Sequence, residues 1–159
     1  MTRWAVWMAL ALAPAAFAAP KTIAATRADV QATFEHCLEA LRTLDGDSFG
    51  ACFDDDVTLF NPDISDAKTL HLLHGRAAVE GHFRAMFDAL RKDSRDARLD
   101  IAPRDVLIQL AGDTAVVTFE FPRSDAGYGR RTMVLVHRAA GWKILHIHAS
   151  NIPGSRATP

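Results

Sequence analysis

From Arg27 to Leu44 the apolar residues Val30, Phe34, Cys37, Leu38, Leu41 and Leu44 recur at offsets of three and four, which predicts a helix with one buried face. Leu44-Asp45-Gly46-Asp47 interrupts the pattern. Gly46 suits the helix end, Asp47 suits an N-cap, and Phe49, Cys52 and Phe53 supply a second, shorter apolar face, so the two segments read as a helical hairpin. Val57 to Phe60 reads as a short strand between a solvated acidic turn, Asp54-Asp55-Asp56, and a loop opened by Asn61-Pro62. Leu70 to His74 then leads through Gly75-Arg76 into a further helix, whose stripe of Val79, Phe83, Met86, Phe87 and Leu90 reads as core. Beyond Asp96 the period changes to two. Strands are expected over Leu99 to Leu110 with a kink at Pro103, Thr114 to Phe121, Arg130 to Arg138 and Trp142 to Ser150, with turns at Ala111-Gly112-Asp113, Asp125-Ala126-Gly127 and Ala139-Ala140-Gly141. Short turns join antiparallel neighbours, so the expected class is α+β, with N-terminal helices packed on one face of a curved antiparallel sheet.

The first eighteen residues break from this pattern. Arg3 is their one charge, an apolar run follows from Trp4 to Ala13, and Ala16-Phe17-Ala18 places small residues at a cleavage site, so 1–18 reads as a secretory signal peptide. A spanning helix needs roughly 20 apolar residues, and this run stops at Pro14, so no stable membrane span is expected after cleavage. Residues 19–26 read as a flexible leader, 27–152 as one domain and 153–159 as a tail; 159 residues bury one core of ordinary size. The chain carries 18 Lys and Arg against 19 Asp and Glu with no block of like charge, which disfavours nucleic acid as a partner. Export also changes how Cys37 and Cys52 are read. In a periplasmic or secreted protein they are a candidate disulfide across the helical hairpin; the alternative is two reduced cysteines packed as small hydrophobes.

The candidate chemistry sits on the last strand. Side chains alternate along a strand with a period of two, so Trp142, Ile144, His146, His148 and Ser150 share one face. Two histidines on a pocket face suit acid–base work near neutral pH, with His146 or His148 as the base and Asn61, Asp63 or Arg130 orienting an oxygenated substrate. The alternatives are histidines hydrogen-bonded within the sheet or placed at a subunit contact, and a metal pair for which no spacing supplies a third ligand. No metal or cofactor is expected. Arg131, Met133, Leu135 and His137 share a face of the preceding strand.

Helix, helix, short strand, the Gly75-Arg76-Ala77-Ala78 helix start and the closing strand Gly-Trp-Lys-Ile-x-His-x-His-x-Ser together resemble the nuclear transport factor 2-like superfamily. Within it, the stretch from Gly141 to Ser150 looks like the last strand of SnoaL-like domains and of the calcium/calmodulin-dependent kinase II association domain. The resemblance implies a cone-shaped pocket fold, which hosts several chemistries and so does not name one. The superfamily's steroid isomerases use an Asp-Pro step after the first strand and a first-helix tyrosine. Here the step is Asn61-Pro62, Cys37 stands about where the tyrosine is expected, and Tyr128 is the chain's single tyrosine, so that route is disfavoured. The resulting expectation is an exported small-molecule-binding domain with a histidine-containing pocket, Trp142 and Ser150 touching ligand beside Asn61, Asp63 and Arg130. A histidine-based lyase, cyclase or isomerase and an oligomerisation module stand as alternatives; the resemblance implies subunit pairing through the exposed sheet face, which makes the face of Arg131, Met133, Leu135 and His137 a candidate homodimer surface.

Overall fold

The computed structural model describes residues 26–61, 72–94, 96–123 and 126–154. The export segment expected over 1–18, the leader up to residue 25, Asp63, His71 and the tail from residue 155 lie outside the described residues.

Helix α1 spans Arg27–Arg42 and buries Val30, Phe34, Cys37 and Leu38 on one side, the face that its periodicity marks. Thr26 and Asp29 form a reciprocal capping box that satisfies backbone N–H groups left without partners at a helix start. The end of α1 differs from expectation. Leu44, not Gly46, takes the left-handed backbone position, at φ 58°. The Asp45 N–H donates back to the Ala40 carbonyl at 2.9 Å, and that of Leu44 to the Leu41 carbonyl at 3.2 Å. A side chain in this conformation costs roughly 1–2 kcal/mol, and complete burial of the Leu44 side chain offsets that cost. With the turn finished early, Asp45 rather than Asp47 caps α2 (Gly46–Gly50), accepting from the Asp47 and Ser48 N–H groups at 3.2 and 3.0 Å.

Strand β1 (Phe53–Phe60) begins earlier than its β-branched stretch, so the three aspartates lie within the strand and not in a turn. Asp54 is buried there, which only a partner makes tolerable. Arg138 supplies it, donating from Nε at 2.7 Å and Nη2 at 3.3 Å. After β2 (Leu73–His74) comes α3 (Arg76–Asp93), entered through Gly75 at φ 85°. Residues 96–103 belong to no strand of the sheet. The Leu99 N–H donates to the Arg42 carbonyl at 3.0 Å and the Ile101 carbonyl accepts from Arg42 Nε at 2.8 Å, which fastens this segment to the end of α1. Strand β3 therefore starts beyond Pro103, at Arg104, and not at Leu99.

Strands β3 (Arg104–Ala111), β4 (Thr114–Pro122), β5 (Tyr128–Arg138) and β6 (Gly141–Ile152) form the expected antiparallel meander. The whole six-stranded sheet has the order β2-β1-β6-β5-β4-β3. Because β1 lies parallel to β6, the sheet is mixed, not purely antiparallel. That pairing joins the first long strand to the last, a non-local contact with no short-range signal. The helices cover one face of the sheet. Phe49, Phe53, Phe83 and Phe87 cluster between α2, α3 and β1, with Phe49 at 4.9 Å from Phe53 and 4.8 Å from Phe83, ring centre to ring centre. Cys37 and Cys52 are disulfide-bonded, their Cα atoms 6.0 Å apart, so the bridge closes the helical hairpin.

Candidate functional site

Period-two alternation sends one set of side chains from each strand toward the helices. Leu59 and Asn61 from the end of β1, Phe119 and Phe121 from β4, Arg131 and Met133 from β5, and Ile147, Ala149 and Asn151 from β6 all face the same way. Phe34, Cys37 and Leu41 of α1 and His82, Phe83 and Met86 of α3 face them across a gap. The result is a cavity of about 640 Å³ with a mostly apolar wall. The stripe on α3 thus has two roles: Val79 and Phe87 are buried in the core, while Phe83 and Met86 wall the cavity.

The paired histidines do not reach this cavity. Along β5 and β6 the register shifts between Val134 and Leu135: Leu135 sits opposite Ile144, Val134 sits opposite His146, and Leu145 is the extra residue. A bulge of one residue reverses the parity of everything beyond it. Trp142 and Ile144 point inward as expected, but the inward set then continues with Ile147, Ala149 and Asn151, and His146, His148 and Ser150 turn to the outer face. The expectation that all five share one face is therefore corrected. His146 Nδ1 lies 2.8 Å from Thr58 Oγ1 on β1, and the Phe60 ring stands 5.9 Å from His146 and 5.7 Å from His148. Burial first, and the neighbouring His148 second, hold the His146 imidazolium below the ordinary histidine range.

The other expected site residues divide similarly. Asn61 lines the cavity. Arg130 is exposed on the outer face, paired across the ladder with Ser150 and Glu120. Trp142 is buried beside His137, ring centres 5.2 Å apart, away from the cavity wall. Arg131, Met133, Leu135 and His137 do share one face of β5, but it is the inward one, so it is not a pairing surface.

Arg131, expected on a pairing surface, lines the cavity instead. Its Nη1 donates to the carbonyls of Arg130 at 2.8 Å and Ser150 at 3.0 Å, with Asn151 Oδ1 at 3.4 Å. The guanidinium carbon lies 4.8 Å from the centre of the Phe121 ring, a cation–π arrangement. Burial, with a smaller contribution from Arg123, pushes its pKa down to about 10. The signal was present in the sequence: a charge on the same strand parity as Met133 and Leu135 is either an exposed face or a cation among apolar neighbours.

The SnoaL-like domain model matches residues 30–155, which is most of the chain. The chain belongs to the SnoaL-like domain family. No curated protein matches its sequence significantly. Among solved structures, this SnoaL-like domain is similar to a protein of unknown function from Pectobacterium atrosepticum, with 26% identity and a TM-score of 0.60 over 79% of this chain and 89% of that one. It is also similar to the calcium/calmodulin-dependent kinase II hub of S. rosetta, with 27% identity and a TM-score of 0.55 over 84% of this chain and 100% of that one. A nuclear transport factor 2-like protein of unknown function from Pseudomonas putida shares 19% identity and a TM-score of 0.64 over 77% of this chain and 84% of that one, a likeness of fold.

Proposed function

We propose that this SnoaL-like domain is an exported small-molecule-binding protein whose ligand occupies the cavity between α1, α3 and the inner face of the sheet. The cavity carries the reading. Its volume of about 640 Å³ lies within the roughly 300–1,000 Å³ of ligand pockets, and an apolar wall with a few convergent polar groups is their usual composition. Asn61, His82, Asp100, Arg123, Arg131 and Asn151 are those groups here. Support for export comes from the charge and apolar pattern of residues 1–18 and from the Cys37–Cys52 disulfide, which persists in oxidising compartments. A histidine-based enzyme finds less support, because His146 and His148 lie across the sheet from the cavity; His82 is the histidine on its wall.

The outer face has a different use. Phe60, 45% exposed, stands there with His148, Val134 and Thr132, and the similarity to a kinase hub supports pairing with a second copy through this surface.

Two measurements test these readings. Native mass spectrometry and melting of the purified protein against a panel of apolar and amphiphilic small molecules should find bound species and raised melting temperatures. A panel that leaves the melting temperature unchanged refutes the cavity reading. Light scattering should give a dimer that Val134→Lys converts to a monomer, and a wild-type monomer at micromolar concentration refutes the pairing.

A further inference from the structure

We infer that the cavity selects an organic acid, an apolar body ending in a carboxylate that is held by the Nε/Nη2 edge of Arg131. This rests on the reading of the cavity as a binding site and adds the chemical class of its occupant.

A guanidinium carries five N–H donors arranged in a planar fork. Three acceptors, all on β5 and β6, gather around Nη1 of Arg131. Nε and Nη2 donate to no acceptor among the described residues, and neither atom is sealed from solvent. The side chain is thus anchored at one corner, its two-donor edge has no protein acceptor among the described residues, and Arg131 itself lines the cavity. No carboxylate of the described residues forms an ion pair with it, Asp100 on the same wall included. A cation in apolar surroundings is costly without an anion beside it, and burial already weakens its hold on the proton. A bound carboxylate would reverse that cost.

The guanidinium is also oriented before any ligand arrives. Phe121 lies against it, and Phe121 is paired across the ladder with Gly129. A Cβ on Gly129 would collide with the Phe121 ring, so the ring occupies the space that any other residue would fill. Glycine lets the ring fold over β5 toward Arg131, and this fixes the plane of the fork.

The chemistry favours a carboxylate over a phosphate. One edge with two parallel N–H groups matches the two oxygens of a planar carboxylate. A phosphate is usually cradled by several backbone N–H groups, whereas the amides of β4, β5 and β6 around Arg131 are engaged in the sheet. The apolar body would then extend along Phe34, Met86, Phe119 and Met133.

The test is calorimetric titration of the purified protein with octanoate and 3-phenylpropanoate, each beside its primary amide and alcohol, at physiological salt. The acids are expected to bind wild type about tenfold or more tightly than the matched amides. Arg131→Gln should erase that preference while keeping amide binding, and Arg131→Lys should leave a reduced preference, because charge stays while the fork is lost. Melting curves establish that both variants are folded; the comparison of acid with amide on wild type needs neither variant. Equal affinity for acid and amide overturns the carboxylate assignment and leaves the cavity reading standing. Tighter binding of octyl phosphate than of octanoate overturns the choice of anion. Failure of all acids, amides and alcohols to bind overturns the cavity reading and this inference with it.

Discussion

Opening the Cys37–Cys52 bridge is expected to destabilise the domain by about 3 kcal/mol, almost wholly through the unfolded chain. The cysteines are 15 residues apart, and releasing a loop of that length restores unfolded-state entropy worth about 3 kcal/mol in the chain-entropy model. The native side changes less. Both residues are buried, at 1% and 4% exposure, and the hairpin keeps its other ties: the Asp45 cap on α2 and the hydrogen bond of 3.0 Å from Arg91 Nη2 to the Leu44 carbonyl. For a domain of this size each kcal/mol moves the melting temperature by about 3–5 °C, so reduction should lower it by about 10–15 °C. The assay is thermal melting by circular dichroism, with and without dithiothreitol, on protein whose thiol content is measured by mass after alkylation. A Cys37→Ala/Cys52→Ala variant should melt near or slightly below the reduced protein, since it also loses two buried sulfur atoms. A fully reduced protein that melts within about 3 °C of the oxidised form would refute the entropic account. Finding only free thiols in protein made in an oxidising compartment would refute the bridge itself.

Two further outcomes follow from the charged groups. Asp54→Ala should cost about 1–2 kcal/mol, the scale of hydrogen bonds to charged groups lowered because Arg138 is half exposed and partly screened; an unchanged melting temperature would show that the pair is dispensable. The same pair sets an acid limit. Arg138 holds the Asp54 carboxyl below its ordinary 3.8, so its stabilising contribution is full above that value and is lost as pH falls through the lowered one. His146 acts in a separate, milder window. Its pKa lies below the ordinary 6.5 because burial and His148 disfavour the charged form, so its contribution is present above pH 6.5 and declines as pH falls below it. Thr58 on β1 and Phe60 face the same ring. Melting temperature should therefore drop between neutral pH and about pH 5, and His146→Gln should flatten that part of the profile. An identical slope in wild type and variant would assign the acid sensitivity to another group.

The sequence by itself determined most of the elements. The three-and-four spacing of α1 and α3 is a local property of a helix that must bury one side, and it was legible as such. The period of two beyond Asp96 placed the last three strands to within a few residues, because a half-buried strand writes its two faces directly into alternate positions. The closeness of Cys37 and Cys52 was legible too, since it depends on two adjacent helices and the turn between them. Local chemistry also had limits. Gly46 is the residue with conformational freedom, but burial of Leu44 decided where the chain turns. Asp54-Asp55-Asp56 looks like solvated loop, but Arg138, 84 residues further on, makes Asp54 acceptable within a strand.

What lay beyond the sequence was sidedness. Alternation says which residues share a face and not which face meets the helices, and one extra residue at Leu145 reverses the answer for everything after it. The bulge arises in the pairing of β6 with β5, and the strand is flanked on its other side by β1, which the chain reaches only from its opposite end. The tertiary structure alone therefore sent His146 and His148 outward and Arg131 into the cavity, because sidedness is set by contacts between strands, and no single strand contains that information.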